Sequence, residues 1–128
     1  MYYDTENLIF QSNQLSGSLP FGISQLKLKK LNIGFNNILG SIPKDLLHID
    51  SIEEINIRDN RFTGSLPNVD TVFINLKSFE ALGNRLTGTI PDWIGTASKL
   101  EKFGLDSNLL HGTIPHFLFE IPELRIGK

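Results

Sequence analysis

The chain contains no cysteine among its 128 residues. That excludes disulfides, thiolate-ligated metals and a cysteine nucleophile together. It leaves the compartment open, because one segment of a secreted protein can lack cysteine. Charge of one sign is equally scarce. A formal net charge of −2 gives no basic excess for nucleic acid or an anionic membrane surface. No apolar run approaches the roughly 18 residues that a membrane helix needs. Met1 is followed by YYDTE, which lacks the basic start and apolar core of a secretory signal. What remains is 40% hydrophobic and 20% charged, the composition of one ordinary folded domain.

Catalytic signatures are also missing. His48, His111 and His116 show no metal-ligand spacing. No G-x-S-x-G elbow, phosphate-cradling glycine loop or kinase signature occurs. None of the eleven asparagines begins an N-x-S/T sequon. The sequence therefore points away from an enzyme, and no cofactor or metal is expected.

What is present is a period. Asn13, Asn36, Asn60, Asn84 and Asn108 are separated by 23, 24, 24 and 24 residues. Gly17, Gly40, Gly64, Gly88 and Gly112 keep the same step, as do Pro20, Pro43, Pro67, Pro91 and Pro115. Three residue types in one register over five copies define an internal repeat. Its clean copies are LKKLNIGFNNILGSIP from Leu28, IEEINIRDNRFTGSLP from Ile52 and LEKFGLDSNLLHGTIP from Leu100. The shared pattern is L-x-x-L-x-L-x-x-N-x-L-x-G-x-I/L-P. The fourth copy, from Leu76, accepts Ala81 at one leucine position, and a sixth begins with Ile121, Leu124 and Ile126.

The L-x-L segment alternates with period two, which is the pattern of a strand with one buried face. One such strand cannot bury that face alone, whereas stacked copies pairing in parallel can. The asparagine amides carry donors and acceptors for the turning backbone. Buried in that role, Asn60→Ala would cost about 1–3 kcal/mol. Glycine allows the bend that follows. Proline restricts the residue before it and starts the return path. Apolar residues three and six after each proline are expected to plug the far side: Ile23 and Leu26, Leu46 and Ile49, Leu118 and Ile121. The third copy departs, with Asp70 where an apolar residue belongs. Val69, Val72 and Phe73 are the candidates to refill that place, and Asp70 is either a ligand contact or part of a rearranged loop. The first return path, Pro20 to Leu28, is one residue shorter than the others.

These motifs resemble the leucine-rich repeat family. The added L-x-G-x-I-P half is similar to the plant extracellular subclass of receptor-like kinases, receptor-like proteins and secreted hydrolase inhibitors. The resemblance implies an α/β-type repeat solenoid. That is a right-handed coil with a parallel β-sheet on the concave face and loops or short 3-10 helices on the convex face. It covers residues 8–126, about five repeats of 23–24 residues plus a partial sixth, after an irregular lead-in at 1–7 and before a truncated end at 127–128. Neither polar terminal repeats nor cysteine-paired caps are visible, so an internal piece of a longer array is expected, prone to associate through open ends.

The resemblance further implies that Asn13, Asn36, Asn60, Asn84 and Asn108 form a structural ladder inside the coil. The variable positions between the strand leucines would line the concave face where partners bind. The binding candidates are Gln11, Lys30, Asn32, Phe35, Glu54, Asn56, Arg58, Glu80, Leu82, Lys102 and Asp106. Arg58 beside Glu54, Asp59 and Glu80 is either an interaction point or a solvated ion-pair cluster. Phe35 and Leu82 are either partner anchors or packing groups. Six strands at about 4.8 Å make a sheet only about 25 Å wide. Expected partners are a protein or peptide ligand and a co-receptor, with no nucleic acid and no direct membrane contact. The implied role is ligand sensing in a receptor ectodomain, extracellular at the plasma membrane or secreted into the apoplast. Alternatives are a secreted inhibitor of the polygalacturonase-inhibitor kind, or a truncated fragment without function. A kinase domain, if the parent has one, lies outside this chain.

One stretch has two readings. ENLIFQS, from Glu6 to Ser12, differs by one residue from the tag-cleavage sequence ENLYFQS. Against LNIGFNNILG it is also the first copy, with Leu8 and Phe10 at strand positions and Asn13 in the ladder. Only Thr5 fails, where the leading leucine belongs. The repeat explains the stretch and keeps it in the fold.

Overall fold

The computed structural model describes residues 6–20, 22–122 and 124. Each copy of the repeat forms one coil. The strands are β1 (Asn7–Ile9), β2 (Lys30–Asn32), β3 (Leu39–Ser41), β4 (Glu54–Asn56), β5 (Arg61–Thr63), β6 (Ser78–Glu80) and β7 (Lys102–Gly104). Four 3-10 helices lie on the return paths: η1 (Ile23–Gln25), η2 (Lys44–His48), η3 (Asp92–Thr96) and η4 (His116–Glu120). None of the described helices is long and apolar enough to cross a membrane. The main sheet is parallel in the order β1-β2-β4-β6-β7, without register slip: Leu8 pairs with Leu31, Leu31 with Ile55, Ile55 with Phe79 and Phe79 with Phe103. The expected sixth strand, at Ile126, falls outside the described residues.

Three residues suffice for each strand because only the middle one turns inward. Leu31, Ile55 and Phe79 are buried, with Leu28, Ile33, Ile52, Ile57, Leu76 and Leu86 stacked around them. A second parallel pair, β3 with β5, follows the asparagine turn and is extended by a bridge from Ser65 to Thr87. Its Gly40 holds φ 88°, a left-handed conformation that side-chain-bearing residues resist.

The asparagines connect one coil to the next. Asn60 Oδ1 accepts the Ile38 amide at 3.0 Å, and its Nδ2 donates to Ile33 and Ile57 carbonyls at 2.9 and 3.2 Å. Asn36, Asn84 and Asn108 repeat this arrangement, each donating to the preceding coil. Asn13 differs. It is exposed, and its amide nitrogen bonds only inside its own turn, to Phe10 and Gln11 carbonyls. No coil precedes it among the described residues.

The convex plugs Ile23, Leu46, Ile49, Leu118 and Ile121 are buried, but Leu26 is 40% exposed. The physical reason is the shorter first return path. Helix η1 has three residues where η2, η3 and η4 have five, so the chain swings outward before the second plug. The third copy has no helix, and Asp70 is exposed in a rearranged loop. Phe73, six residues after Pro67 and so at the second plug position, is buried and lies 4.8 Å from the Trp93 ring in the next coil. Trp93 Nε1 donates to the Pro67 carbonyl at 2.8 Å, and the Phe73 amide donates to Thr96 Oγ1 at 3.1 Å. Val69 is half-buried, whereas Val72 points to solvent.

A row of charges runs along the entrance to the strands: Glu6, Lys29, Glu53, Lys77 and Glu101, one per coil and alternating in sign. Lys29 lies 3.8 Å from Glu6, and Lys77 lies 3.5 Å from Glu53. These pairs are exposed, so each contributes at most about 1 kcal/mol. Lys77→Glu puts three acids in consecutive coils. It is predicted to cost about 1 kcal/mol at low ionic strength and nearly nothing in 1 M salt. A denaturation midpoint shift that ignores salt would show that the row does not act through charge.

Candidate ligand-binding face

The in-register sheet turns the variable positions into rows. Asn7, Lys30, Glu54, Ser78 and Lys102 form one, and Ile9, Asn32, Asn56, Glu80 and Gly104 the next. Lys30, Asn32, Glu54, Asn56, Glu80 and Lys102 line a shallow concavity of about 360 Å³, with Ile9, Lys77, Ser78 and Glu101 completing its walls. Asn32 Nδ2 donates to Gln11 Oε1 at 2.7 Å, and Asn56 Nδ2 donates to Glu80 Oε2 at 3.2 Å. Each of these asparagines also accepts a backbone amide two residues on, Gly34 and Arg58 respectively. Their amides are therefore oriented before any ligand arrives. Glu54 lies 3.8 Å from Lys30, and no ion pair joins it to Arg58 among the described residues.

Arg58 instead joins Phe35. Its guanidinium carbon sits 5.0 Å from the centre of the Phe35 ring, and its Nε donates to Asp59 Oδ2 at 2.9 Å. Gly34 leaves room beside it: a Cβ there would stand 3.1 Å from Arg58 Cγ. Gly104 serves Leu82 similarly, at 3.2 Å from Leu82 Cδ2. Leu82 is half-buried, and Asp106 is exposed beyond it, outside the concavity.

Phe35 is unusual in its backbone as well as its exposure. The residue before each ladder asparagine is left-handed: Ser12, Phe35, Asp59, Gly83 and Ser107 have φ of 59°, 56°, 52°, 70° and 57°. For a bulky aromatic this is a genuine outlier, costing about 1–3 kcal/mol. The ring is nevertheless 48% exposed. A side chain held in strain and turned to solvent does little for the core. The sequence held one cue to this turn, the Gly83-Asn84 step, but only one copy of five shows glycine there. Lys77 and Glu101 were not among the sequence candidates, and their part in the face emerges only from the coil register.

The described residues contain no cluster of His, Asp or Glu arranged to hold a metal ion. His48, His111 and His116 are exposed and lie apart from this face.

The leucine-rich repeat family model matches residues 27–49 and 51–69. No curated protein sequence matches the chain. Among solved structures, the plant peptide hormone receptor RGFR1 in complex with RGF2 is 26% identical, with a TM-score of 0.89 over 94% of this chain and 19% of that one. The ectodomain of the receptor kinase SOBIR1 from Arabidopsis thaliana is 28% identical, with a TM-score of 0.86 over 92% and 65%. The Arabidopsis receptor kinase HAESA, in complex with the peptide hormone IDA and the co-receptor SERK1, is 31% identical, with a TM-score of 0.87 over 91% and 20%. The chain thus spans less than two thirds of the length of each.

Proposed function

We propose that the chain is a leucine-rich repeat array of the kind found in plant receptor-kinase ectodomains, a non-catalytic peptide-binding segment acting at the cell surface in signalling or defence. The observation that carries this reading is the Phe35–Arg58 pair beside an oriented row of amides. A strained aromatic and a pre-positioned guanidinium are the side-chain types that anchor interfaces. The five described strands span about 19 Å at roughly 4.8 Å spacing, enough for about six residues of extended peptide crossing them. Lys30, Glu54, Glu80 and Lys102 mix both signs along that path, which suits a zwitterionic peptide rather than a polyanion. Receptors of similar structure bind peptide hormones, one with a co-receptor, and the same partner classes are proposed here. The parent's membrane anchor and kinase domain belong to this proposal too.

Phe35→Gly separates binding from stability. It removes left-handed strain of about 1–2 kcal/mol and loses about 0.5–1 kcal/mol of ring–guanidinium attraction. The melting midpoint is predicted to hold or rise. Peptides selected against the parent chain from a displayed library should bind the variant at least about tenfold more weakly, roughly 1.4 kcal/mol. Val72→Ser on the convex side should bind as the parent does. The reading fails if the convex change weakens binding and the Phe35 change does not.

A further inference from the structure

We propose that Glu80 is the specificity-determining group of the concave face, and that it selects a peptide carrying a lysine or arginine side chain. This rests on the peptide-binding reading above and adds the chemistry of one ligand residue.

The strand fixes where Glu80 stands. Phe79 before it is fully buried, with its ring 5.8 Å from Trp93 and 6.0 Å from Phe103. Successive side chains on a strand point to opposite faces. Glu80 therefore turns into the concavity, which it lines. In the parallel register its neighbours are Asn56 on β4 and Gly104 on β7.

Those neighbours act differently. Asn56 Oδ1 accepts the Arg58 amide at 3.1 Å, and its Nδ2 donates to Glu80 Oε2 at 3.2 Å. A neutral donor thus orients the carboxylate. Gly104 has no side chain, so that strand gives Glu80 no polar partner. Leu82 lies close to Gly104: a Cβ there would stand 3.2 Å from Leu82 Cδ2. Aliphatic carbon on the same face suits the methylene stem of a long basic side chain.

The neighbouring acids already have cations. Glu54 lies 3.8 Å from Lys30, Asp59 lies 2.9 Å from Arg58, and Glu53 lies 3.5 Å from Lys77. The Arg58 guanidinium is also held over Phe35. Glu101 and Lys102 line the concavity too, but both are exposed. Glu80 is half-buried and forms no ion pair among the described residues. A carboxylate so placed has given up part of its hydration. A ligand ammonium or guanidinium supplies the missing charge-assisted hydrogen bond. Such complementarity decides which peptide is accepted.

The test uses a displayed library of random peptides, selected in parallel on the 128-residue parent and on Glu80→Gln. Glutamine keeps an oxygen for Asn56 Nδ2 and removes only the charge. Peptides selected on the parent should share a Lys or Arg at one position, and those selected on the variant should not. Parent-selected peptides should bind Glu80→Gln roughly 10- to 100-fold more weakly, the usual loss for a hydrogen bond to a charged group. Replacing their basic residue with methionine should weaken binding to the parent by a similar factor. The methionine peptide should then bind parent and variant alike. Phe35→Gly reports separately whether the concave face is used. If Phe35→Gly weakens binding and Glu80→Gln does not, the proposal is overturned and the peptide-binding reading stands. If neither weakens it, both fall. The proposal also falls if Glu80→Gln weakens the methionine peptide as much as the basic one, since the effect would then be structural.

Discussion

Trp93→Ala is expected to lower the stability of the array by about 3–5 kcal/mol, the usual cost of removing a large buried aromatic. Trp93 is the sole tryptophan and is buried between coils. It meets Phe73 at 4.8 Å and Phe79 edge-on at 5.8 Å, and its Nε1 satisfies the Pro67 carbonyl. It joins the third coil, which lacks a helix, to the fourth, beside the hydrogen bond from the Phe73 amide to Thr96 Oγ1. With net stabilities of about 5–15 kcal/mol, the loss takes a large share of the total. Urea unfolding followed by far-ultraviolet circular dichroism measures it, since the variant has no tryptophan emission. Trp93→Phe retains a ring but strands the Pro67 carbonyl, and should fall between parent and alanine variant. An alanine variant within about 1 kcal/mol of the parent would show that the third coil is held by other means.

Asn60→Ala is the second large effect, predicted at about 3 kcal/mol. The side chain is buried and serves one amide and three carbonyls across two coils. Alanine leaves the Ile38 amide without its acceptor, and an orphaned buried group costs about 1–3 kcal/mol. Asn13→Ala is the internal control. Asn13 is exposed and bonds only within its own turn, so its loss should stay within about 0.5 kcal/mol. Equal losses at the two positions would refute an energetic role for reaching the preceding coil.

Much of the coil was legible because its causes are periodic. Alternating L-x-L produced the strands centred on Leu31, Ile55 and Phe79, and the prolines marked the start of η2, η3 and η4. What escaped the sequence depends on what one coil does to the next. The partnership of Phe73 with Trp93 joins residues of unlike copies, so no single repeat displays it. The β3–β5 pair arises where the asparagine turn aligns two backbones, whatever their side chains. The same holds for the candidate face. Arg58 neighbours Glu54 and Glu80 in the pattern, yet it lies over Phe35 of the preceding coil, with Gly34 closely beside it.

The alternating charge row has a consequence for how such an array can change in length. Its period is two coils, not one. Removing or duplicating a pair of adjacent coils leaves every Glu beside a Lys. Removing a single internal coil, or duplicating any one, sets two like charges side by side, whatever the fit of the apolar core. Glu6, Lys29, Glu53, Lys77 and Glu101 therefore give the solenoid a parity. A weak electrostatic bias of about 1 kcal/mol per fault favours growth and loss by twos.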